Sequence, residues 1–336
     1  MLGRQATIFA QIVGFELRYY VRQPSTYVYF VIFGLLGWLV AIGDAASANL
    51  RVPMNSPITV LSAMRTLSIV GLFVTLAVIA DAALRDQRSK MDELIRAAPG
   101  PIGTYLLGRF AGAYIVTVIL FCGALAGRVA GTTMWWIDPA VVGSFRYDAF
   151  LSALAIIALP NLFFGGALFF AAASVTRSTL ATYVVLMALL AGHFATFAIG
   201  DPAMRWLASL IDPIGRFAID EVTRYWTPAE RGTRLVSFAG LLAQNRLACI
   251  AIGSALLALS IAFYRRRASA YRAPWKPHRD RRRPFARAGS RLRPPGARAF
   301  GHNSCPAHDK RHAPSCGAGR SWRCLCWVWP VASPFS

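Results

Sequence analysis

The chain has 336 residues, of which 56% are hydrophobic and only 15% are charged, and its mean hydropathy is +0.45. A soluble domain carries about a quarter charged residues, so this composition excludes an ordinary soluble globular protein. The formal net charge of +21 would by itself suggest nucleic-acid binding. Residues 265–336 contribute +15 of it and residues 1–264 only +6. We therefore expect an apolar membrane body with a separate basic tail, and nucleic acid is not an expected partner.

The region before the first apolar stretch, residues 1–25, is predicted to form an amphipathic helix. Its apolar face is made by Ile8, Ile12, Phe15 and Tyr19, and its polar stripe by Gln11, Arg18 and Arg22. Such a helix lies in the membrane interface with its basic side toward lipid headgroups. The alternatives are a plain cytoplasmic extension or a signal peptide cleaved near Ala46-Ser47-Ala48, for which the region before the apolar run is too long.

Six apolar stretches follow, and each has about the length that a membrane helix needs. A bilayer core of about 30 Å requires roughly 20 apolar residues in a helix. We therefore expect an all-α integral membrane protein with a six-helix transmembrane domain over residues 26–264. The predicted spans are residues 26–43, 66–84, 110–127, 149–175, 178–200 and 247–264.

The loop between the second and third spans, from Arg85 to Pro101, is the most charged part of the body. Met91, Leu94 and Ile95 share one helical face there, and the charges Asp86, Asp92 and Glu93 surround them. This pattern predicts a short helix that offers an apolar stripe to a soluble partner. A solvated loop of mixed charge is the alternative.

Three polar residues lie within the predicted spans. Asp81 stands four residues before Arg85, which predicts an ion pair along one helix. Asn161 follows Pro160, so we expect a kink there and a residue that could line a substrate path. His193 is predicted to form a hydrogen bond between helices rather than a proton relay, since no second titratable group accompanies it in its span.

Small residues in the third span recur at the spacing that lets helix backbones approach closely. Gly108 and Gly112 form one such pair, and Gly123 and Gly127 form another. They predict close helix packing, within this chain or with a second copy.

The loop after the fifth span carries a helix-start signal. Thr227-Pro228-Ala229-Glu230 is a capping box with proline at the first helical position, and we expect the helix to run towards Gln244. Before it lie Glu221 and the aromatic pair Tyr225-Trp226, which suit a membrane interface. The loop is therefore predicted to be a folded external or partly re-entrant element.

Motifs for independent catalysis are absent from the sequence. It has no phosphate-binding loop, no His-Glu-x-x-His zinc motif and no Gly-x-Ser-x-Gly nucleophile elbow. We therefore expect a protein that is not an enzyme by itself and binds no cofactor. Energy for transport would come from a partner or an ion gradient.

The tail at residues 265–336 differs in composition from the body and has three interpretations. It could be a metal site formed by Cys305, His308, His312, Cys316, Cys324 and Cys326, a disordered basic arm, or the product of a shifted reading frame. The Cys and His spacing is not a usual zinc pattern. The abrupt change in composition favours the third interpretation, and no fold is expected there.

Several segments together resemble a known family. They are Phe15 to Tyr19 with Arg22 and Pro24, Arg85-Asp86 and the loop to Pro101, Tyr105 to Arg109, Asp212-Pro213-Ile214-Gly215, and Glu221 to Arg231. Over residues 8–266 the chain resembles the permease of type-2 ABC transporters. It is most similar to the N-terminal membrane half of bacterial proteins that fuse such a permease to a gluzincin-type aminopeptidase. The family has Asn where this chain has Gly232, and the second set of spans and the peptidase are missing.

The resemblance implies an exporter-like permease in the bacterial inner membrane that moves an unknown substrate. ATP would be hydrolysed by a separate ABC ATPase subunit that docks on a coupling segment at Arg85, Asp86, Asp92, Glu93, Leu94 and Ile95. A second copy or a second permease half would complete the transporter. The distribution of Lys and Arg places both termini in the cytoplasm. Two alternatives from the residues are a secondary transporter or channel and a membrane scaffold without transport activity.

Overall fold

The computed structural model describes residues 2–48, 50–91, 94–95, 101–198 and 204–271. Over these ranges the chain is all-α and has no β-strand. The chain divides into two units, residues 1–276 and residues 277–336. All of the second unit lies outside the described ranges, and so do the predictions made for the tail beyond Tyr271.

Among the described residues of the first unit, five helices are long and apolar enough to cross a membrane. The helices in chain order are α1 (Leu2–Val21), α2 (Pro24–Ser47), α3 (Pro57–Arg88), α4 (Ile102–Thr132), α5 (Pro139–Val142), α6 (Tyr147–Thr176), α7 (Thr179–Ala195), α8 (Arg205–Ile211), α9 (Arg216–Val222), α10 (Pro228–Thr233) and α11 (Gly240–Tyr271). The membrane-length helices are α2, α3, α4, α6 and α11. The chain is thus an all-α integral membrane protein, as predicted.

The predicted fifth span corresponds to a shorter helix. α7 has 17 residues and is followed by one 3₁₀ turn, Thr196–Ala198. At 1.5 Å per residue, 17 residues reach about 25 Å, less than a bilayer core of about 30 Å. The number of spans that the structure supports by length is therefore five, and the sixth stays a prediction.

Consecutive long helices run antiparallel, so their termini form two ends of the bundle. At one end, Arg88 of α3 donates a hydrogen bond to Thr179 of α7, and the Arg265 side chain of α11 lies beside Gly103 of α4. We call this the charged end. At the opposite end, the segment at Met54 bonds to Val141; we call it the loop end.

Glycine contacts explain how α4 packs against its neighbours. A Cβ atom on Gly112 would lie 2.6 Å from the Glu16 Cβ of α1, and one on Gly127 would overlap the Gly34 carbonyl of α2. Both small-residue motifs of the third span are therefore occupied inside the chain. They leave no reason to assign this face of α4 to a second copy.

The interruption predicted at Pro160 takes the form of a π-helical stretch over Leu154–Ala158. Proline lacks an N–H, so the preceding turn cannot keep the regular hydrogen-bond ladder. The Tyr114 hydroxyl of α4 donates a hydrogen bond to the Leu159 carbonyl at 3.0 Å, which joins α4 to α6 next to the proline. α6 thus stays one continuous helix across the proline.

Two predicted boundaries differ from the structure. The capping box of Thr227 and Glu230 is formed, but α10 ends at Thr233 instead of running to Gln244. Gly232 packs against the Arg51 carbonyl, and Gly240 has a φ of +59°, so the chain turns before α11 begins. At the other end of α11 the helix continues to Tyr271, so the three arginines after Tyr264 do not end it.

Candidate functional site

Two buried polar networks connect separate elements of the chain to one another. The first, at the charged end, centres on Glu16 of α1, which is 1% exposed. Its Oε2 accepts a hydrogen bond from Arg85 Nη1 at 2.9 Å, and its Oε1 lies 3.3 Å from Arg109 Nε. One carboxylate therefore joins three helices, α1, α3 and α4.

The predicted pair of Asp81 and Arg85 is confirmed as part of this network. Arg85 Nη2 lies 2.9 Å from Asp81 Oδ2, and the Arg85 guanidinium also stacks over the Tyr19 ring at 3.6 Å. Tyr20 accepts a hydrogen bond from Arg85 and donates one to the Val78 carbonyl at 2.8 Å. Burial, with the Asp81 carboxylate nearby, raises the pKa of Tyr20, so this phenol keeps its proton.

Asp86, which was predicted to face a partner, points into the same network. It pairs with Arg109 and accepts a hydrogen bond from the Tyr105 hydroxyl at 2.9 Å. The side chains of Arg85 and Asp86 are only 16% and 17% exposed. These two residues therefore anchor the start of the coupling segment to the bundle instead of forming its contact surface. We call Glu16, Tyr20, Asp81, Arg85, Asp86, Tyr105 and Arg109 the charged-end network.

The apolar residues of the coupling segment are on the surface. Met91 is 46% exposed and Leu94 is 63% exposed, and the Ile95 N–H donates to the Met91 carbonyl at 3.0 Å, which is one helical turn. Asp92 and Glu93 lie outside the described residues. The predicted apolar stripe is thus present at Met91 and Leu94.

The second network surrounds the turn Asp212-Pro213-Ile214-Gly215 between α8 and α9. Asp212 is fully buried, and its Oδ1 contacts His193 Nδ1 at 2.9 Å and the Ile214 N–H at 3.0 Å. Its Oδ2 accepts from the Phe217 N–H at 3.2 Å. Burial opposes ionisation of Asp212, but the hydrogen bonds from His193, Ile214 and Phe217 outweigh it and lower its pKa. The predicted interhelical hydrogen bond of His193 is therefore made to this turn.

Arg246 of α11 closes the network on the other side. Its side chain is completely buried, Nη1 donates to Asn161 Oδ1 at 2.5 Å, and Nε donates to Asn245 Oδ1 at 2.9 Å. Asn161 in turn donates to the Ile214 carbonyl at 3.2 Å. Among the described residues no carboxylate pairs directly with Arg246, so amide oxygens carry its hydrogen bonds.

Asn245 and Gly215 fit the turn to the helices. The Asn245 amide donates to the carbonyls of Ser209, Leu210 and Asp212 at 2.8–3.1 Å, which are the free carbonyls at the end of α8. Gly215 has a φ of +84°, and a Cβ there would overlap the Arg246 guanidinium. We call Asn161, His193, Asp212, Gly215, Asn245 and Arg246 the turn network.

The turn network places irregular backbone against the middle of α6. Non-helical backbone at membrane depth is tolerated only where protein or water satisfies its polar groups, and here side chains do so. The cavity beside Asn161 and Ile214 holds only about 10 Å³, about the space of one water molecule. The network is therefore a closed structural lock between α6, α7 and α11, with no room for a substrate.

The other predicted external residues do not join this site. Glu221 pairs loosely with Arg224 at 3.6 Å, Tyr225 is 82% exposed, and Glu230 serves the capping box of Thr227. Hydrogen bonds from the Thr227 N–H and the Thr227 hydroxyl lower the pKa of Glu230. Trp226 lies partly buried against the core. The structure thus brings Asn161, His193 and Asp212 together and leaves the remaining motif on the surface.

Sequence reasoning missed three buried charges. Glu16 and Arg246 were not singled out, and Arg128 lies just outside the predicted third span of residues 110–127, although it is fully buried and pairs with Asp44. A charged residue on or next to an apolar run is a signal that could have found them. Among the described residues, no group of three or more His, Cys, Asp or Glu side chains could hold a metal ion.

Comparison of the chain with protein-family models found no match, and comparison with curated proteins found none either.

Proposed function

We propose that this chain is the membrane permease subunit of an ABC transporter of the type-2, exporter-like class. It would move a substrate, whose identity the site does not define, with ATP hydrolysed by a separate partner subunit. The observation that carries the proposal is the charged-end network. It fastens the start of the segment that bears the exposed Met91 and Leu94 to three helices of the bundle.

Such an arrangement suits the transmission of force. A partner that binds Met91 and Leu94 pulls on the end of α3, and Arg85 and Asp86 pass the displacement to α1 and α4 through their ion pairs. Buried charges in a defined geometry favour discrete arrangements over gradual deformation, because a partly separated pair loses its hydrogen bonds without regaining water. Movement of the coupling segment would therefore shift whole helices.

In this proposal the charged end faces the cytoplasm of a bacterial inner membrane and both chain termini are cytoplasmic. The support is the distribution of Lys and Arg, since the charged end carries Arg85, Arg88, Lys90, Arg109 and Arg177 near the ends of its helices. A substituted-cysteine labelling series tests it, because Cys at Lys90 should react only with a reagent that reaches the cytoplasm.

The test of the function is association with an ATPase. The full chain is purified in detergent with a candidate ABC ATPase subunit, and ATP hydrolysis by the complex is measured. Reversal of both acidic charges at Asp92 and Glu93 to Arg should abolish association. The matched control reverses Asp220 and Glu221 to Arg at the loop end, with the same change in net charge, and should leave association intact. A stable chain that recovers no ATPase activity would contradict the proposal.

A secondary transporter or channel is the second candidate, and the observation in its favour is the presence of ionisable groups at mid-helix depth, although the network that holds them is closed. Asn161, His193, Asp212 and Arg246 place ionisable and amide groups against the middle of α6, where coupling-ion sites of secondary transporters lie. Ion-gradient-driven flux in proteoliposomes without ATP would support this candidate and exclude the first.

A further inference from the structure

A groove of about 310 Å³ lies at the charged end, between the beginning of α2 and the last turns of α3. Its volume is in the range of small-ligand pockets, at the lower end. It adjoins the charged-end network, since Tyr20 and Asp81 also line it, and it is separate from the turn network. The residues that line it include Ser25, Thr26 and Tyr29 of α2 and Ala77, Asp81 and Arg88 of α3.

Hydrogen-bond donors in this groove exceed the acceptors that the protein supplies. Arg88 is about half exposed and uses two of its five N–H groups, on Asp81 Oδ1 and Thr179 Oγ1, both at 3.2 Å. The hydroxyls of Ser25, Thr26 and Tyr29 form no hydrogen bond with any residue in the described ranges. A ligand with several acceptor oxygens would satisfy them.

The charge of the groove also suits an anion. Asp81 already lies between two guanidinium groups, with Arg85 at 2.9 Å and Arg88 at 3.2 Å, so its negative charge is offset. Arg88 therefore presents its remaining N–H groups to the groove without an unpaired carboxylate beside them. Phosphate oxygens form strong charge-assisted hydrogen bonds with such a guanidinium.

An apolar track continues from the groove toward the middle of the membrane. Ile32 lies three residues after Tyr29 on α2, and Phe73 lies four residues before Ala77 on α3, so each stands one turn further along the same helical face. They are 43% and 46% exposed. A ligand with a phosphate at the groove and hydrocarbon along Ile32 and Phe73 fits both parts.

We propose that this groove binds one membrane phospholipid through its phosphate group. Arg88 and the hydroxyls of Ser25, Thr26 and Tyr29 hold the phosphate, and an acyl chain lies along Ile32 and Phe73. The groove is at the level where α2 begins, which is the headgroup level of the leaflet at the charged end. This inference does not depend on the proposed transport function.

The test is native mass spectrometry of the full chain in detergent, with added phosphatidylethanolamine or phosphatidylglycerol. Arg88→Gln removes the charged donor, and Ala77→Phe fills the groove while keeping every charge. Arg88→Gln loses a charged hydrogen bond to the phosphate, and Ala77→Phe blocks the space for the lipid. Each should weaken retention of the lipid bound in the groove by about tenfold. Arg18→Gln is the matched control. It removes the same charge from α1 two residues from Tyr20, hence on the opposite side of that helix, and should retain lipid like the wild type.

Two further ligands identify the source of the phosphate. Diacylglycerol, which lacks phosphate, and inorganic phosphate, which lacks acyl chains, should not displace the bound lipid at concentrations where either phospholipid does. Displacement by inorganic phosphate alone would overturn the proposal in favour of a free-anion site. Equal loss in Arg18→Gln, or retention in both groove variants with unchanged thermal unfolding, would overturn it as well.

Discussion

The two buried networks both hold charged side chains inside the protein, but the partners of those charges differ. At the charged end, Glu16, Asp81 and Asp86 meet Arg85 and Arg109 in ion pairs shared among three helices. At the turn, the guanidinium of Arg246 meets only amide oxygens among the described residues, and the one carboxylate, Asp212, is occupied by backbone N–H groups and His193.

This difference predicts different responses to the loss of one group. Each arginine of the charged-end network contacts two carboxylates, so loss of one acid leaves another partner in place. In the turn network the buried charge of Arg246 is held by two neutral amide oxygens, those of Asn161 and Asn245, and by no carboxylate among the described residues, so loss of one acceptor leaves the charge poorly compensated. We therefore expect the charged end to tolerate substitution, as a moving part must, and the turn to behave as a fixed lock.

The largest effect is expected at Asn161. Asn161→Leu removes the oxygen that accepts from Arg246 and leaves a buried guanidinium with one partner fewer. We expect a loss of about 3–5 kcal/mol in the free energy of unfolding, as for other broken buried pairs. Unfolding by sodium dodecyl sulfate in mixed micelles measures it.

A variant that keeps an acceptor oxygen at position 161 tests the same prediction. Asn161→Asp offers Arg246 a carboxylate and loses only the hydrogen bond to the Ile214 carbonyl, so it should be clearly more stable than Asn161→Leu. If the two variants are equally unstable, the guanidinium does not depend on an acceptor at position 161.

The next effect is expected at Gly215, where backbone and side chain act together. Gly215→Ala must keep a φ of +84° and must also displace the Arg246 guanidinium. Left-handed backbone costs about 1–2 kcal/mol and overpacking about 1–3 kcal/mol, so we expect a loss of about 3 kcal/mol. Gly192→Ala in α7 is the control, because nothing lies within 4 Å of a Cβ there. Equal stability of the two variants would contradict a rigid turn.

A smaller effect is expected at the charged end. Glu16→Gln keeps the shape of the side chain and removes its charge, while Arg85 retains Asp81 and Arg109 retains Asp86. We expect a loss of about 2 kcal/mol, the cost of weakening charged hydrogen bonds rather than orphaning a charge. Thermal unfolding in detergent measures the loss, with the exposed Arg18→Gln as control. A loss as large as that of Asn161→Leu would show that the network is not redundant.

The sequence predicted features that depend on neighbours along the helix, and it did not predict those that depend on tertiary contacts. The i,i+4 pair of Asp81 and Arg85, the capping box at Thr227 and five membrane-length helices are local and were found. Glu16 and Arg246 gain their roles from partners 69 and 85 residues away in the chain, Arg85 and Asn161. No periodicity connects such positions.

Helix boundaries show the same limit. α3 begins at Pro57, well before its apolar run at Thr66, because Ser56 caps it with a hydrogen bond from the Thr59 N–H. α10 ends early because Gly232 packs against the Arg51 carbonyl. The first signal is local and was overlooked, whereas the second arises only from the folded loop end.

An effect of similar size to that of Glu16→Gln is expected at Asp212, and its pH dependence tests the turn network directly. Because folding lowers the pKa of Asp212 below its usual 3.8, the ionised carboxylate stabilises the fold at higher pH. That contribution is complete above the unfolded pKa and is lost as the pH falls through the folded value. Asp212→Asn keeps one acceptor oxygen but turns an NH2 group toward the N–H of Ile214 or Phe217, so it should cost about 1–3 kcal/mol at neutral pH. The stability difference from the wild type should shrink as the pH falls below about 4. The charged-end network is the same in both proteins, so its contribution cancels in this difference. A pH-independent difference would mean that His193 and the backbone N–H groups hold Asp212 by shape alone and not by its charge.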